Sequence, residues 1–246
     1  MAKPLHVLDP PLTAPDFEPL IALSASVAQN VLQAQRMQLE ALGVKTVFKQ
    51  IYPAETTDMT PIVQKYIAAK PDLVFGGTQS TDAYAQVKAM VQQNYSPKFV
   101  FFTNGANSPT EFPDKVGANN TEGIFSCGDW FPTSKAPGNP EFVKAYTAKY
   151  GGDPDSIDSG SAEAYAVGQV VEDVAAKTKS VDNATIIKTL HSGSYPTIEG
   201  NLSWDANGAP KGSVALLQWQ GGKLVPVYPP NQALAKPMSP KPPWGG

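Results

Sequence analysis

The segment LVFGGTQSTDA, residues 73–83, contains the pattern that decides the fold. Three consecutive apolar residues, Leu73 to Phe75, are typical of a short strand that is buried on both faces. A glycine pair and a polar loop follow, and Asp82 begins a segment with the apolar spacing of a helix. A buried strand that leads directly into a helix is the unit from which parallel sheets are built.

Strand and helix patterns alternate on both sides of this segment. The predicted elements are, in chain order, a strand over 20–24, a helix over 27–42, a strand over 45–52, a helix beginning at Thr60-Pro61, the strand over 73–75, a helix over 82–93, and strands over 99–103 and 123–126. Threonine and then proline is a typical helix start, with threonine as the cap and proline at the first helical position. The alternation predicts an α/β protein whose parallel sheet has helices on both faces.

The second half of the chain has a different pattern. The polar stretch 133–138 is the predicted boundary or crossover. The predicted elements after it are a helix beginning at Asn139-Pro140, an alanine-rich helix over 159–174, a short helix capped by Asp182, a strand over 201–204, a turn over 205–208, and a hairpin over 214–225 that turns at Gly221-Gly222. Residues 229–246 are rich in proline and are predicted to form an extended tail.

Two polar loops are the candidate ligand site. Thr78-Gln79-Ser80-Thr81 follows one buried strand, and residues 104–108 follow the next. The carboxyl ends of parallel strands meet at one edge of an α/β sheet, where ligands bind. Hydroxyl, amide and backbone groups there suit the charged ends of a zwitterion, and the helix start at Asp82 favours an anion. The alternative, that these residues are only caps and turns, remains open.

Catalytic and metal-binding patterns are absent from the sequence. The only histidines are His6 and His191, neither lies near a nucleophile motif, and solvent-exposed or capping roles suit them better. Cys127, the single cysteine, is predicted to be a small core residue. Residues 205–208 lack the glutamate that closes a calcium loop, so a hairpin turn is predicted there. Gly76-Gly77 precedes no phosphate-loop lysine, so we predict a protein that is not an enzyme and binds neither metal nor cofactor.

Composition excludes further classes. The 246 residues suggest one or two domains, with 41% hydrophobic residues and a formal net charge of -3. No basic run supports nucleic-acid binding. No apolar stretch approaches the roughly 20 residues that cross a bilayer. The first residues also lack the apolar segment of a secretory signal peptide.

Eight motifs, taken together and in order, resemble the periplasmic leucine/isoleucine/valine-binding proteins of ABC transporters. They are Tyr52-Pro53-Ala54, residues 57–62, Lys70-Pro71-Asp72-Leu73-Val74, Asp82-Ala83, Tyr95-Ser96-Pro97-Lys98, residues 162–166, Asn201-Leu202-Ser203-Trp204-Asp205 with Gly208, and the ending formed by 218–220 and 225–229. The specificity lies in their order and spacing over roughly residues 40–230 rather than in any single motif.

The resemblance implies a type 1 periplasmic-binding fold, which has two Rossmann-like, doubly wound lobes with the ligand in the cleft between them. Residues 1–132 resemble the first part of lobe two, and residues 133–200 resemble a returning segment of an incomplete lobe one. Residues 201–246 resemble the final passage into lobe two and a proline-rich tail. The first pass through lobe one is expected to be missing, together with its share of the ligand site.

The resemblance also implies which residues line the cleft. The candidate ligand-binding residues are Thr78, Gln79, Ser80, Asn104, Gly105, Asn107, Trp130 and Ser161. For Trp130 and Ser161 the alternatives are a hinge-packing role and a helix-cap role. Leucine-type binders place a carboxylate in the loop after the third strand, whereas this loop has no acid before Glu111. Amides, urea, aromatic acids and other small polar solutes are therefore expected alongside amino acids.

The function implied is that of the substrate-binding component of an ABC importer, located in the periplasm or outside the cell. The two lobes would close on a small solute and a membrane permease would detect the closure. One alternative is a sensory domain for amides or amino acids, which would work in the cytoplasm. Another is a fragment without independent binding, which exposed apolar surface on the helices at 140–190 would indicate. A separate lobe-one segment is a further candidate partner.

Overall fold

The computed structural model describes residues 20–25, 36–53, 56–211 and 214–245, with only the backbone described over 20–25. The chain divides into two units. Unit 1 consists of Met1–Cys127 and Leu216–Gly246, and unit 2 consists of Gly128–Ala215. The division falls after Cys127 and after Ala215, whereas the segments inferred from the resemblance end at residues 132 and 200. The assignment of those segments to two lobes stays a prediction.

A seven-stranded sheet forms the centre of unit 1, with the strand order β2-β1-β3-β4-β5-β8-β9. The strands are β1 (Leu20–Ala25), β2 (Thr46–Tyr52), β3 (Leu73–Gly77), β4 (Phe99–Phe102), β5 (Phe125–Gly128), β8 (Ala215–Gln220) and β9 (Lys223–Tyr228). The first five pair in parallel, as predicted. β8 and β9 pair antiparallel, so the sheet is mixed. Their turn uses Gly221 and Gly222, which both have positive φ and so suit a tight hairpin.

Three described helices connect these strands: α1 (Thr60–Ile67), α2 (Ser80–Gln92) and α3 (Glu111–Val116). Residues 36–41 are also helical, whereas the earlier part of the helix predicted over 27–42 lies outside the described residues. Thr60 is the first helical residue rather than the cap, because the Asp58 carboxylate accepts from the Thr60 N–H at 2.9 Å. α2 begins two residues before the predicted start at Asp82, so Ser80 belongs to a helix and not to a loop.

Alternate residues of the parallel strands enter two separate cores. Val74, Val100 and Phe102 lie in a cluster with α1, α2 and the indole of Trp219. Their strand neighbours face the other way, where the rings of Phe99 and Phe125 stack with centroids 4.5 Å apart. This alternation shows why the strands are continuous apolar runs, since each strand buries both of its faces.

The proline-rich tail has no helix or strand, but it packs against unit 1 and does not extend away from it. Gln218 is fully buried, and its side-chain amide donates to the carbonyls of Gly123 and Met238 at 3.1 and 2.8 Å. Further along, the indole N–H of Trp244 donates to the Tyr95 carbonyl at 2.6 Å. The ammonium of Lys241 lies 3.5 Å from the centroid of the Trp244 ring. The predicted extended tail is therefore wrong in this respect.

Unit 2 is mainly helical, with α4 (Asn139–Tyr150), α5 (Ser159–Thr178) and α6 (Asn183–Leu190). Its only described sheet is a two-stranded hairpin of β6 (Tyr195–Thr197) and β7 (Gly200–Leu202). The turn predicted at 205–208 is present, since the Asp205 carboxylate accepts from the N–H groups of Asn207 and Ala209 at 2.8 and 2.9 Å. Asp182 caps α6 as predicted and accepts from the Thr185 N–H.

No helix within the described ranges is both long enough and apolar enough to span a membrane.

Replacing Trp244 with alanine is expected to lower the free energy of unfolding by about 2 kcal/mol, because the change removes half-buried aromatic area and a hydrogen bond. Chemical denaturation followed by circular dichroism measures this loss. Pro243→Ala changes the exposed neighbouring residue and serves as the control, with no expected loss. Equal stability of the two variants would contradict the docking of the tail.

Candidate functional site

The loops after β3 and β4 are joined by a set of hydrogen bonds around Thr78. The Thr78 hydroxyl donates to the Asn104 carbonyl at 2.8 Å and accepts from the Asn104 N–H at 3.4 Å. The Thr78 N–H donates to the Thr103 hydroxyl at 2.8 Å. Thr78 is buried, and its polar groups are occupied by these contacts. Thr78 therefore supports the pair of loops from below rather than presenting a free hydroxyl.

Gly105 brings the second loop directly against the start of α2. Its φ is +89°, and a Cβ atom at this position would lie 2.8 Å from the Ser80 Cα and 3.0 Å from the Ala83 Cβ. Both the backbone angle and the space exclude a side chain. The Gly105 N–H donates to the side-chain oxygens of Asn104 and Asn107 at 2.8 and 3.0 Å. The structure thus brings together Gln79, Ser80 and the three predicted residues of the second loop.

The exposed part of this site is polar and neutral. Gln79 is exposed, and its side-chain oxygen accepts from the Asn104 amide at 3.5 Å. Ser80 occupies the first position of α2, where backbone N–H groups are free of helical partners. Amide groups and a helix start together offer donors to an anionic or amide group of a ligand.

Asp82 is a structural residue of the site that the sequence did not reveal as such. It is 1% exposed. One carboxylate oxygen accepts from the Gln79 N–H at 2.8 Å, and the other accepts from the Tyr52 hydroxyl at 2.6 Å. The Gln86 amide donates to the same hydroxyl at 3.2 Å. Burial raises the pKa of Asp82, and these hydrogen bonds oppose the shift. Tyr52 lies thirty positions away in sequence, so no local spacing predicts the pair.

Trp130 and Ser161, the other two predicted ligand residues, lie in unit 2. Trp130 is 3% exposed, and its indole N–H donates to the Asn139 side chain at 2.7 Å. The Asn139 amide donates in turn to the carbonyls of Pro132 and Ser134. Trp130 also packs edge-on against the ring of Phe142. These contacts agree with the packing role considered for Trp130, and its role in ligand binding stays a prediction.

Two helix starts in unit 2 differ from the sequence-based prediction. Asn139 is the first residue of α4 and not its cap, which is Gly138, because the Asn139 side chain is committed to Trp130. The cap of α5 is Asp158, whose carboxylate accepts from the Gly160 N–H at 3.0 Å. Ser161 therefore does not cap α5, and its hydroxyl lies 3.2 Å from the Tyr146 hydroxyl.

Unit 2 also contains three interacting carboxyl groups, those of Asp129, Glu163 and Glu199. Burial first, and then the charges of Asp129 and Glu163, raise the pKa of Glu199 to about 7. Burial and the neighbouring Asp129 also raise the pKa of Glu163. One oxygen of Glu199 is inaccessible to solvent and has no hydrogen-bond partner. Among the described residues, no group of three or more His, Cys, Asp or Glu side chains is arranged to hold a metal ion.

The residues excluded as catalytic occupy structural positions. His191 follows α6, and its ring nitrogen Nδ1 lies 3.0 Å from the Asp205 carbonyl oxygen. Cys127 is half-buried in β5, packs against the cluster around Phe99 and Phe125, and has its sulfur 3.5 Å from the Thr103 carbonyl oxygen. His6 lies outside the described residues.

The chain belongs to the periplasmic binding protein family, whose sequence profile matches residues 20–223. This family consists of solute-binding proteins, which in general are not enzymes. The Leu/Ile/Val-binding protein homolog 8 of Brucella melitensis is 27% identical over 226 residues, which are 88% of this chain and 55% of that one. This chain therefore spans about half the length of the curated relative that it matches.

Solved structures share the fold. The leucine-binding protein LivK from Thermotoga maritima superposes with a TM-score of 0.74 at 18% identity, over 85% of this chain and 59% of that one. An ABC-transporter solute-binding protein from R. palustris, in complex with 4-hydroxybenzoate, superposes with a TM-score of 0.70 at 20% identity, over 95% of this chain and 66% of that one. The predicted α/β, type 1 periplasmic-binding architecture is confirmed.

Replacing Tyr52 with phenylalanine is expected to cost about 1.5–3 kcal/mol of stability, because it removes a hydrogen bond to a buried carboxylate. Urea denaturation near neutral pH measures the change. The control is Tyr150→Phe, which removes the hydroxyl of an exposed tyrosine and leaves stability unchanged. If Tyr52→Phe is as stable as the control, Asp82 does not depend on this donor.

Glu199 is expected to make stability fall as the pH rises. Its folded-state pKa of about 7 lies above the ordinary value of 4.5, so the folded state holds a proton that the unfolded state releases. The stabilisation is complete below about pH 4.5 and is lost as the pH rises through about 7. Glu199→Gln should match the wild-type melting temperature at about pH 4.5 and exceed it at about pH 8.

The matched control for this measurement is Glu172→Gln, which changes an exposed glutamate of α5. Thermal melts across the pH range should give the control the same pH dependence as the wild type. A pH dependence of Glu199→Gln equal to that of the wild type would contradict the raised pKa.

Proposed function

We infer that this chain carries part of the binding site for a small organic acid or amide, and that it acts as the substrate-binding component of an ABC importer. The observation that carries this proposal is the polar surface formed by Gln79, Ser80 and the loop from Asn104 to Asn107. These residues converge at the carboxyl edge of the parallel sheet, where α/β folds bind ligands. Membership of the periplasmic binding protein family supports the same function.

The chemistry of this surface favours a ligand with a carboxylate or amide group. The R. palustris relative in fold binds 4-hydroxybenzoate, and the Thermotoga maritima one is a leucine-binding protein. A carboxylate is common to both ligands. Here the amides and the start of α2 supply donors, whereas no acidic residue stands between Asn104 and Glu111 to meet an ammonium group. The buried carboxylate of Asp82 is held by Tyr52 and Gln79. An aromatic or small organic acid therefore suits these loops better than a plain amino acid.

The remaining ligand contacts are proposed to come from outside these loops. Trp130 and Ser161 are the candidates within the chain. A lobe-one segment, either joined to this chain or separate from it, is the other candidate. The proposed partner of the loaded protein is a membrane permease, and the proposed location is the periplasm or the cell exterior. Closure of two lobes on the ligand would be the event that the permease detects.

Calorimetry with 4-hydroxybenzoate, benzamide and leucine tests the proposal. We expect 4-hydroxybenzoate to bind with a Kd on the order of 0.1–1 mM, because one polar wall encloses less of the ligand than a complete cleft. Leucine should bind at least tenfold more weakly. Asn104→Ala should weaken binding of the best ligand about tenfold.

The control is Ser192→Ala, which changes an exposed residue of unit 2 and should leave the affinity unchanged. Preference for leucine over the aromatic acid would overturn the ligand class. The absence of binding by all three compounds would overturn the assignment of the loops as a binding surface.

A further inference from the structure

The long helix α5 uses one side to pack within unit 2. Ala162, Ala166, Val170 and Val174 are buried and recur every four residues, which places them in one stripe along the helix. They contact two clusters of unit 2, one around Phe142 and one around Tyr195. This stripe accounts for the part of α5 that the unit itself needs.

A second uncharged stripe runs along another side of the same helix. Its members, which we call the small-residue face, are Ala164, Val167, Gly168, Val171 and Ala175. At 3.6 residues per turn these positions cluster roughly 130° away from the buried stripe. Val167 is 61% exposed and Val171 is 43% exposed. An amphipathic surface helix would carry charged or polar residues at such positions, and this face carries none.

Gly168 has no structural reason within the described residues. A Cβ atom added there would meet nothing within 4 Å. Glycine inside a helix costs roughly 1 kcal/mol relative to alanine. A glycine that is open to solvent and flanked by valines suits the close approach of another backbone.

Apolar exposure in unit 2 continues beyond α5. Ile187 of α6 is 55% exposed, and Val181, which precedes that helix, is 80% exposed. In unit 1 the helices pack against a seven-stranded sheet, whereas the described part of unit 2 has a sheet of two strands only. Exposed apolar patches of this kind mark interaction surfaces.

The relatives indicate what covers this face. The matched region makes up 55% of the Brucella homolog and 59% of the Thermotoga protein, so proteins of this fold contain substantial further polypeptide. Helices of α/β proteins bury their apolar faces against sheets. We propose that the small-residue face is the docking surface for a polypeptide with an aliphatic sheet face, corresponding to the part of the relatives' chains that lies outside the match. This inference does not rest on the identity of the bound solute.

Alkylation of an introduced cysteine tests the proposal on the full chain. Val171→Cys is prepared in the chain alone and in a fusion that adds the unmatched part of the Brucella homolog. Peptide mapping by mass spectrometry separates the new cysteine from Cys127. We expect Cys at position 171 to react at least tenfold more slowly in the fusion. Val214→Cys is the matched control, since Val214 is 60% exposed and lies outside the face, and its rate should not change.

A second variant shows that apolar contact causes the protection. Val171→Asp should lower the melting temperature of the fusion and leave that of the chain alone unchanged, because the residue is exposed there. Equal alkylation rates in the two forms would overturn the proposal. Protection in the chain alone that increases with protein concentration would also overturn it and would assign the face to a second copy.

Discussion

Burial of both faces of the central strands is the constraint on which unit 1 depends. Val74 and Phe102 point into one core, and Leu73 and Phe99 point into the other. A strand that buries both faces needs a covering layer on each side, and helices between parallel strands provide those layers. Because every such strand runs in the same direction, the loops that follow β3 and β4 emerge at one edge. The candidate site is therefore a consequence of how the core is built.

The site is rigid because its loops are bonded to each other and to residues distant in sequence. Thr78 joins the two loops, Gly105 allows the second loop to contact α2, and Asp82 ties the start of α2 to Tyr52 at the end of β2. Each bond is satisfied inside the protein, so the arrangement does not require a ligand to hold it. Side chains placed on such a frame lose little further freedom on binding.

The sequence predicted the features that depend on local pattern. Apolar runs marked the parallel strands, and Asp182 marked the start of α6. It failed where a distant partner decides the structure. Asn139 has the composition of a helix cap but is held by Trp130. The three-residue strand β6 contains Pro196 and shows no alternation of its own, and it exists because it pairs with β7. The tail looked extended because its anchors, Gln218 and Tyr95, lie far away in sequence.

The two units satisfy their side chains to different degrees, and this difference bears on function. In unit 1 the tail, the helices and the hairpin leave the sheet covered, and the loops of the site form a closed network. Unit 2 leaves an apolar side of α5 exposed and leaves a carboxyl oxygen of Glu199 unpaired. Exposed apolar area and unpaired polar atoms both cost free energy that a further packing partner would recover. Family membership and a prepared ligand surface therefore follow from unit 1, whereas the behaviour of unit 2 depends on what covers it.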